Sequence, residues 1–252
     1  MRIALGIEYD GSGFSGWETQ KNARTVQSLV EAALSRVANA PVLTVCAGRT
    51  DAGVHASAQV VHFETGAIRQ ERAWVYGANT NLPREISVLW ANIVPDNFHA
   101  RFSARSRHYR YHILNRPVRS ALYAKQITWE CRPLSVDRMR AGAGYLLGEH
   151  DFSTFRAAAC QAASPIRTIH ALEITRHGER IRIDVVANAF LHHMVRNIAG
   201  VLMAIGTGKR EPEWAGRILA ARDRTRGAVT APAEGLYLAG VEYPEQFRIP
   251  RG

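Results

Sequence analysis

The sequence predicts an α+β protein. It reads as two ferredoxin-like βαββαβ units with antiparallel sheets side by side, helices on the outer faces and a central basic cleft. Three observations predict this. Strand-like and helix-like runs follow one another in the order β-α-β-β-α-β, twice, over 252 residues. Gly- and Pro-containing punctuation separates the runs. Lys and Arg number 32 against 22 Asp and Glu, a net charge of +10, and the excess gathers in loops and at strand starts. The first unit is assigned to 1–105 and the second to 106–252.

In the first unit, 2–9 alternates apolar and polar residues and predicts a strand. A Gly/Ser-rich loop follows over 10–16, with Phe14 inside it and Trp17 after it; its spacing fits no phosphate-binding motif. Thr25 suits an N-cap, and Val26, Leu29, Val30, Ala33, Leu34 and Val37 then form one helical stripe. Two β-branched runs, 42–45 and 59–63, flank Gly48, Arg49, Thr50, Asp51, Ala52 and Gly53 and predict an antiparallel pair. A helix over 69–78 and a strand over 86–94 complete the unit.

The segment 95–103 carries Phe98, His99, Arg101 and Phe102 and reads as a crossing. In the strand 106–115, Arg107, Tyr109, Tyr111 and Ile113 share one face. A basic loop covers 116–126. Ser135 opens a helix, 151–155 is a turn and 157–164 is small and irregular. Strands at 167–175 and 180–189 flank a His177-Gly178 turn. A helix over 191–205, a short one near 214–221 and a strand over 236–241 close the chain.

Composition narrows the function. No apolar run reaches membrane-spanning length. The opening MRIALGIEYD is too short and too acidic for a signal peptide, so a cytoplasmic location is expected. The three cysteines, Cys46, Cys131 and Cys160, form no CxxC pair, which argues against a zinc site or a disulfide framework. The pI of about 10.1 points to a polyanionic partner, most simply nucleic acid, with a generically basic composition as the alternative.

Two charged residues stand apart. Asp51 is the only acid between Glu31 and Glu64, and it sits in a loop with Gly at both ends. It reads either as a turn residue or as a site carboxylate. From Val185 to Gly208 the only fully charged residue is Arg196, on the stripe-bearing helix of Leu191, Met194, Val195, Ile198, Val201, Leu202 and Ile205. Its guanidinium either pairs with Asp51 across the halves or reaches solvent beside His192, His193 and Asn197. The His192-His193 pair reads as packed or RNA-facing rather than as metal-binding, because adjacent helical residues diverge and no acid or Cys is nearby in sequence. Tyr109 reads equally as a core residue or as a stacking platform among arginines.

The run AGRTDAGVHA at 47–56 resembles the signature of the TruA-type tRNA pseudouridine synthases. DGSGFSGWETQ (10–20), NLP (81–83), FHARFSARSRHYRYHILN (98–115), DFSTFRAAACQAASPIRTI (151–169), FLHHMVRNIAG (190–200) and APAEGLYLAGVEY (231–243) resemble the family's other blocks, in its order. Glu18 departs from the Gln usual after the Trp. The resemblance implies conversion of uridine to pseudouridine at positions 38, 39 and 40 of the tRNA anticodon stem-loop. It implies no cofactor and no metal, and a homodimer. It makes Asp51 the catalytic aspartate, Tyr109 the tyrosine stacked on the target base, Arg196 the aspartate's partner and Arg49 a residue that helps extrude the base. The first half would then be RNA-binding and catalytic through Asp51, and the second would bring Tyr109 and Arg196. Further RNA contacts are expected from Arg101, Arg107, Arg110 and Arg156, and Leu236 would help to wall the pocket. A carboxylate could add to a carbon centre or remove the C2′ proton, and both routes stay open.

A non-catalytic protein with tandem RRM-like units is the main alternative, but the third strand reads QVVHF and lacks the RNP1 aromatic run. A metal-assisted nuclease would need clustered carboxylates, and Asp51 has none nearby in sequence.

Overall fold

The structure, a computed structural model, describes residues 1–158, 160 and 162–250. Two positions of the irregular stretch expected over 157–164 therefore lie outside the described residues. The elements run β1 (Arg2–Tyr9), α1 (Val26–Ala38), β2 (Val45–Cys46), β3 (His55–Glu64), α2 (Glu71–Asn81), β4 (Ile86–Val94), β5 (Ser106–Asn115), β6 (Thr128–Glu130), α3 (Val136–Gly144), β7 (Gly148–Asp151), β8 (Ile166–His177), β9 (Arg180–Ala187), α4 (Met194–Gly206), α5 (Trp214–Ala221) and β10 (Leu236–Glu242). The fold is mixed α/β, with ten strands and five α-helices among the described residues. None of these helices is long and apolar enough to cross a membrane.

The chain divides into one compact unit of Met1–Arg107 with Tyr237–Gly252 and another of His108–Leu236. The boundary falls at 107/108 where 105/106 was expected, and the last strand returns to the first unit. The cause is pairing and packing. Strand β10 runs parallel to β3, with Tyr237 opposite His55 and Leu238 opposite Ala56. Tyr243 and Phe247 then pack around Phe98 at ring distances of 5.1 and 5.2 Å.

In the first unit β1 is central, antiparallel to β3 on one side and to β4 on the other. Strand β2 pairs antiparallel with β3, as Val45↔His62 and Cys46↔Val61, so the expected strand pair around Asp51 is present. It is lopsided. The first run yields two strand residues and the second extends to ten. Strand β1 is buried on both faces at Ile3, Ala4, Leu5 and Ile7. Neither face of the sheet is open at these positions. Ala4 and Val60 pack under Phe98, Ala100, Tyr243 and Phe247, which come from the crossing segment and the C-terminal stretch. Helix α2 packs on β4 and α1 packs on α2.

In the second unit β5, β9, β8 and β7 lie side by side, with β6 parallel to β5. Strands β6 and β7, three and four residues long, were not expected; the first begins just past the basic loop of 116–126. Strand β9 alternates cleanly: Ile181, Ile183, Val185 and Ala187 are buried between more exposed Arg180, Arg182, Asp184 and Val186. Helices α3 and α4 approach closely at glycines. A Cβ on Gly206 would lie 2.9 Å from Met139 Cγ, and one on Gly142 would lie 2.7 Å from Ile205 Cδ1. Ser135 caps α3 as expected, its hydroxyl accepting from Arg138 N–H at 3.3 Å. Helix α4 starts at Met194, not at 191, because His193 adopts a left-handed φ of 62° and breaks the helical path.

Candidate functional site

Asp51 sits in the connection 47–54 between β2 and β3 and is partly exposed. The loop is held from two sides. Beneath it, Tyr9 Oη and Thr50 Oγ1 are 2.7 Å apart in a buried hydrogen bond. Gln59 donates to Gly48 O at 2.7 Å and accepts from Gly48 N–H at 3.4 Å. From outside, the stretch 10–17 clasps it. Trp17 N–H donates to Thr50 O at 3.0 Å, and Gly53 N–H donates to Phe14 O at 3.3 Å. Gly11 N–H donates to Nδ1 of buried His55 at 3.0 Å, and the His55 ring stacks on Tyr237 at 4.5 Å.

Two glycines make the clasp possible. A Cβ on Gly11 would lie 1.9 Å from Val54 O, inside the carbonyl's own volume. Gly16 has φ +95°, and a Cβ there would meet Thr50 O at 2.8 Å. The Gly/Ser-rich loop that fits no phosphate motif is thus a brace for the Asp51 loop. Tyr9, Gln59, Trp17, Gly11 and Gly16 belong to the site's framework, although none was expected there. For Gly11, Gly16 and Trp17 the available signal was their place in the block DGSGFSGWETQ at 10–20.

Arg49 is exposed and pairs with Glu18 at 2.6 Å. Arg101 is exposed as well. Arg107, expected among the RNA contacts, is only 8% exposed. Its guanidinium donates to Ala47 O at 3.1 Å, to Ala104 O at 3.3 Å and to Arg101 O at 2.5 Å. Carbonyls of two segments hold it inside, so it ties the start of the Asp51 loop to the crossing segment.

In the second unit, Tyr109 is 8% exposed and meets the Phe190 ring edge-on at 4.9 Å. Tyr111 lies deeper. Its hydroxyl hydrogen-bonds with Thr128 at 2.6 Å and donates to Pro232 O at 2.9 Å, and burial raises its pKa. Gly235 must be Gly here, since a Cβ would meet Thr128 Oγ1 at 2.6 Å and His112 O at 2.7 Å. The next residue, Leu236, is buried.

Arg196 is partly buried on the first turn of α4. Its Nε donates to Ala231 O at 2.8 Å, and Ala231 N–H returns a bond to Arg196 O at 3.1 Å. The neighbouring Asn197 is buried, donates to Phe155 O at 2.7 Å, and accepts from Arg224 and Thr230 at 3.0 and 2.7 Å. Both residues fix the stretch 228–231 onto α4. His192 and His193 stand just before the helix with ring centroids 4.1 Å apart, so they share a direction that two consecutive helical residues would not.

Arg110 lies on the opposite face of β5 from Tyr109, as alternation requires. Its Nε donates to Asp184 at 3.0 Å, beside His108 at 2.8 Å and Arg182 at 2.5 Å. Desolvation acts to raise the Asp184 pKa, but the bonds from His108 and Arg110 outweigh it and hold the carboxyl well below the usual range. Arg156 is partly exposed just after the turn at Ser153–Phe155.

These features define a mixed α/β protein of two units, with one acid, Asp51, in a braced loop and the exposed Arg49 two residues before it. The chain belongs to the tRNA pseudouridine synthase family, whose model matches residues 6–103 and 143–244. Its relatives include the "tRNA pseudouridine synthase A" of Methylococcus capsulatus, 62% identical over 251 residues, covering 100% of this chain and 93% of that protein. The same-named protein of Nitrosococcus oceani is 61% identical over 100% of this chain and 97% of its own length. That of Pseudomonas aeruginosa is 57% identical over 99% and 88%.

Proposed function

We propose that this chain isomerises uridine to pseudouridine at positions 38, 39 and 40 of the tRNA anticodon stem-loop, with Asp51 as its catalytic carboxylate. Full-length similarity to proteins named tRNA pseudouridine synthase A supports the reaction and the substrate. The observation that carries the residue assignment is the bracing of the Asp51 loop. Tyr9, Gln59, Trp17 and two obligatory glycines all converge on a loop that offers one acid. Such over-determination suits a group that must meet a reacting carbon within fractions of an ångström.

The reaction breaks the bond between uracil N1 and C1′, turns the base and rejoins it through C5, with loss of the C5 proton. A carboxylate serves either by adding to a carbon centre or by removing the C2′ proton. The target base must first leave the stack, at a cost of a few kcal/mol. In this reading Arg49 helps to fill the vacated place and Tyr109 stacks on the extruded base. Arg196 orients Asp51, and Leu236 contributes a dry wall that keeps the detached uracil from escaping. Arg101 and Arg156 meet the RNA backbone. The reading includes two ferredoxin-like units, a homodimer, a cytoplasmic setting and no cofactor.

The test is tritium release from C5-labelled uridine in tRNA. Asp51→Ala should abolish release while tRNA binding persists; retained turnover would refute the assignment. Arg196→Met should lower both activity and melting temperature, because it also removes the bond to Ala231 O. An equally active and stable variant would place the guanidinium outside the machinery.

A further inference from the structure

The crossing segment between β4 and β5 carries an aromatic ring that the fold does not use. Phe102 is 75% exposed. It stacks on His99 with ring centroids 4.3 Å apart and planes 28° from parallel, and the Arg101 guanidinium carbon lies 5.5 Å from its centroid. Single exposed apolar side chains are ordinary. What sets this one apart is the rigidity of its mount. His99 Nδ1 accepts the backbone N–H of both Arg101 and Phe102 at 3.2 Å. His99 N–H donates to Ser103 Oγ at 3.0 Å, and Ser103 N–H returns to His99 O at 2.8 Å. Ala100 is held at both ends, its N–H by His62 Nδ1 at 3.1 Å and its carbonyl by Tyr243 Oη at 2.6 Å. Arg107 closes the segment by donating to Arg101 O. The backbone is fixed almost atom by atom, while the ring at its tip stays in water.

Charge says what such a ring would meet. No acid occurs from residue 97 to 107, where Arg101 and Arg105 are exposed. A cationic rim around a π-face suits a base with its phosphates, since every base offers a π-face and the backbone brings the negative charge. A fixed ring also loses little entropy when it is covered.

We propose that Phe102, mounted on His99 and flanked by Arg101, is a stacking subsite for an unpaired base of the RNA substrate, separate from the extruded uridine. This rests on the reading of the chain as a tRNA-modifying enzyme. The experiment compares wild type, Phe102→Leu and Phe102→Tyr for binding of a tRNA transcript and for the kinetics of C5 tritium release, with melting curves as a folding control. Phe102→Leu should weaken binding and raise KM about tenfold, and Phe102→Tyr should stay within about twofold of wild type. Leucine binding as well as phenylalanine, or tyrosine failing with leucine, would overturn the subsite. So would a changed oligomeric mass at unaltered tRNA affinity, which would put protein against the ring instead of RNA. If wild type itself releases no tritium, the enzymatic reading fails. If it does and Phe102→Leu is unaffected, only the subsite fails.

Discussion

Arg49 and Glu18 lie 2.6 Å apart with both side chains about half exposed. A pair so wet contributes on the order of 0–1 kcal/mol to stability, so its interest is functional. Glu18 stands where the family pattern has Gln, and it adds a negative charge beside a cation assigned to the RNA. Incoming phosphates would meet that carboxylate and compete for the arginine. Glu18→Gln should therefore tighten tRNA binding by about two- to fivefold at low salt, with the gain shrinking as ionic strength rises. Binding isotherms at two salt concentrations check this; unchanged or weaker affinity contradicts it. Residue-level signals were legible where they were local. The isolation of Asp51 and the lone charge of Arg196 can be read by eye. Arg107 could not be read in the same way. Alternation put it on the face of Tyr109, but the carbonyl that captures it belongs to Ala47, 60 residues upstream. Spacing holds no record of such a partner.

The decisive element is the clasp of 10–17 over the Asp51 loop. It depends on the approach of Gly11 to Val54 O, and that atom belongs to a backbone which cannot swing aside as a side chain could. Gly11→Ala should displace the loop and lower turnover by at least about a hundredfold, the scale of an ångström-sized misplacement. The cost in stability should be about 1–3 kcal/mol, as for other overpacked sites. Gly66→Ala is the control, since a Cβ there meets nothing within 4 Å. Kinetics and melting curves of the two variants test the point, and an active Gly11→Ala would show that the loop tolerates movement. The elements read best from sequence were those specified by their own residues. Strand β5 carries its alternation internally, and β1, β4 and α5 fall where the sequence placed them. Strands β6 and β7 are too short to show a period and exist only because β5 and β8 offer edges to pair with. The late start of α4 follows from the backbone angle of one residue, His193, which no hydrophobic stripe encodes.

Across the whole molecule, connectivity misled. The repeated β-α-β-β-α-β order suggested two consecutive halves, yet Tyr237–Gly252 join the first unit, because apolar residues near the C-terminus find Phe98. Histidines tie that arrangement to pH. His62 lies under the crossing segment and accepts the Ala100 N–H, which only an unprotonated Nδ1 can do. Burial, with His99 and Arg2 nearby, lowers its pKa to about 4. In the second unit burial, with Arg110 nearby, brings His112 to about 4. Burial and Arg2 also lower that of His99. Unfolded, each titrates near 6.5. Between these values the unfolded chain binds protons that the folded chain refuses, so stability is full above about pH 6.5 and falls as pH drops toward 4. The paired carboxylates Asp184 and Glu130, whose folded pKa values are lowered, keep their contribution until the pH falls below the ordinary carboxylate range. The window from pH 6.5 to 4.5 therefore belongs to the histidines. The melting temperature should fall through it by on the order of 5 °C. His62→Gln, which can still accept through its side-chain oxygen, should flatten the profile; a wild-type melting temperature unchanged from pH 7 to pH 4.5 would show that these histidines can charge without disturbing the fold.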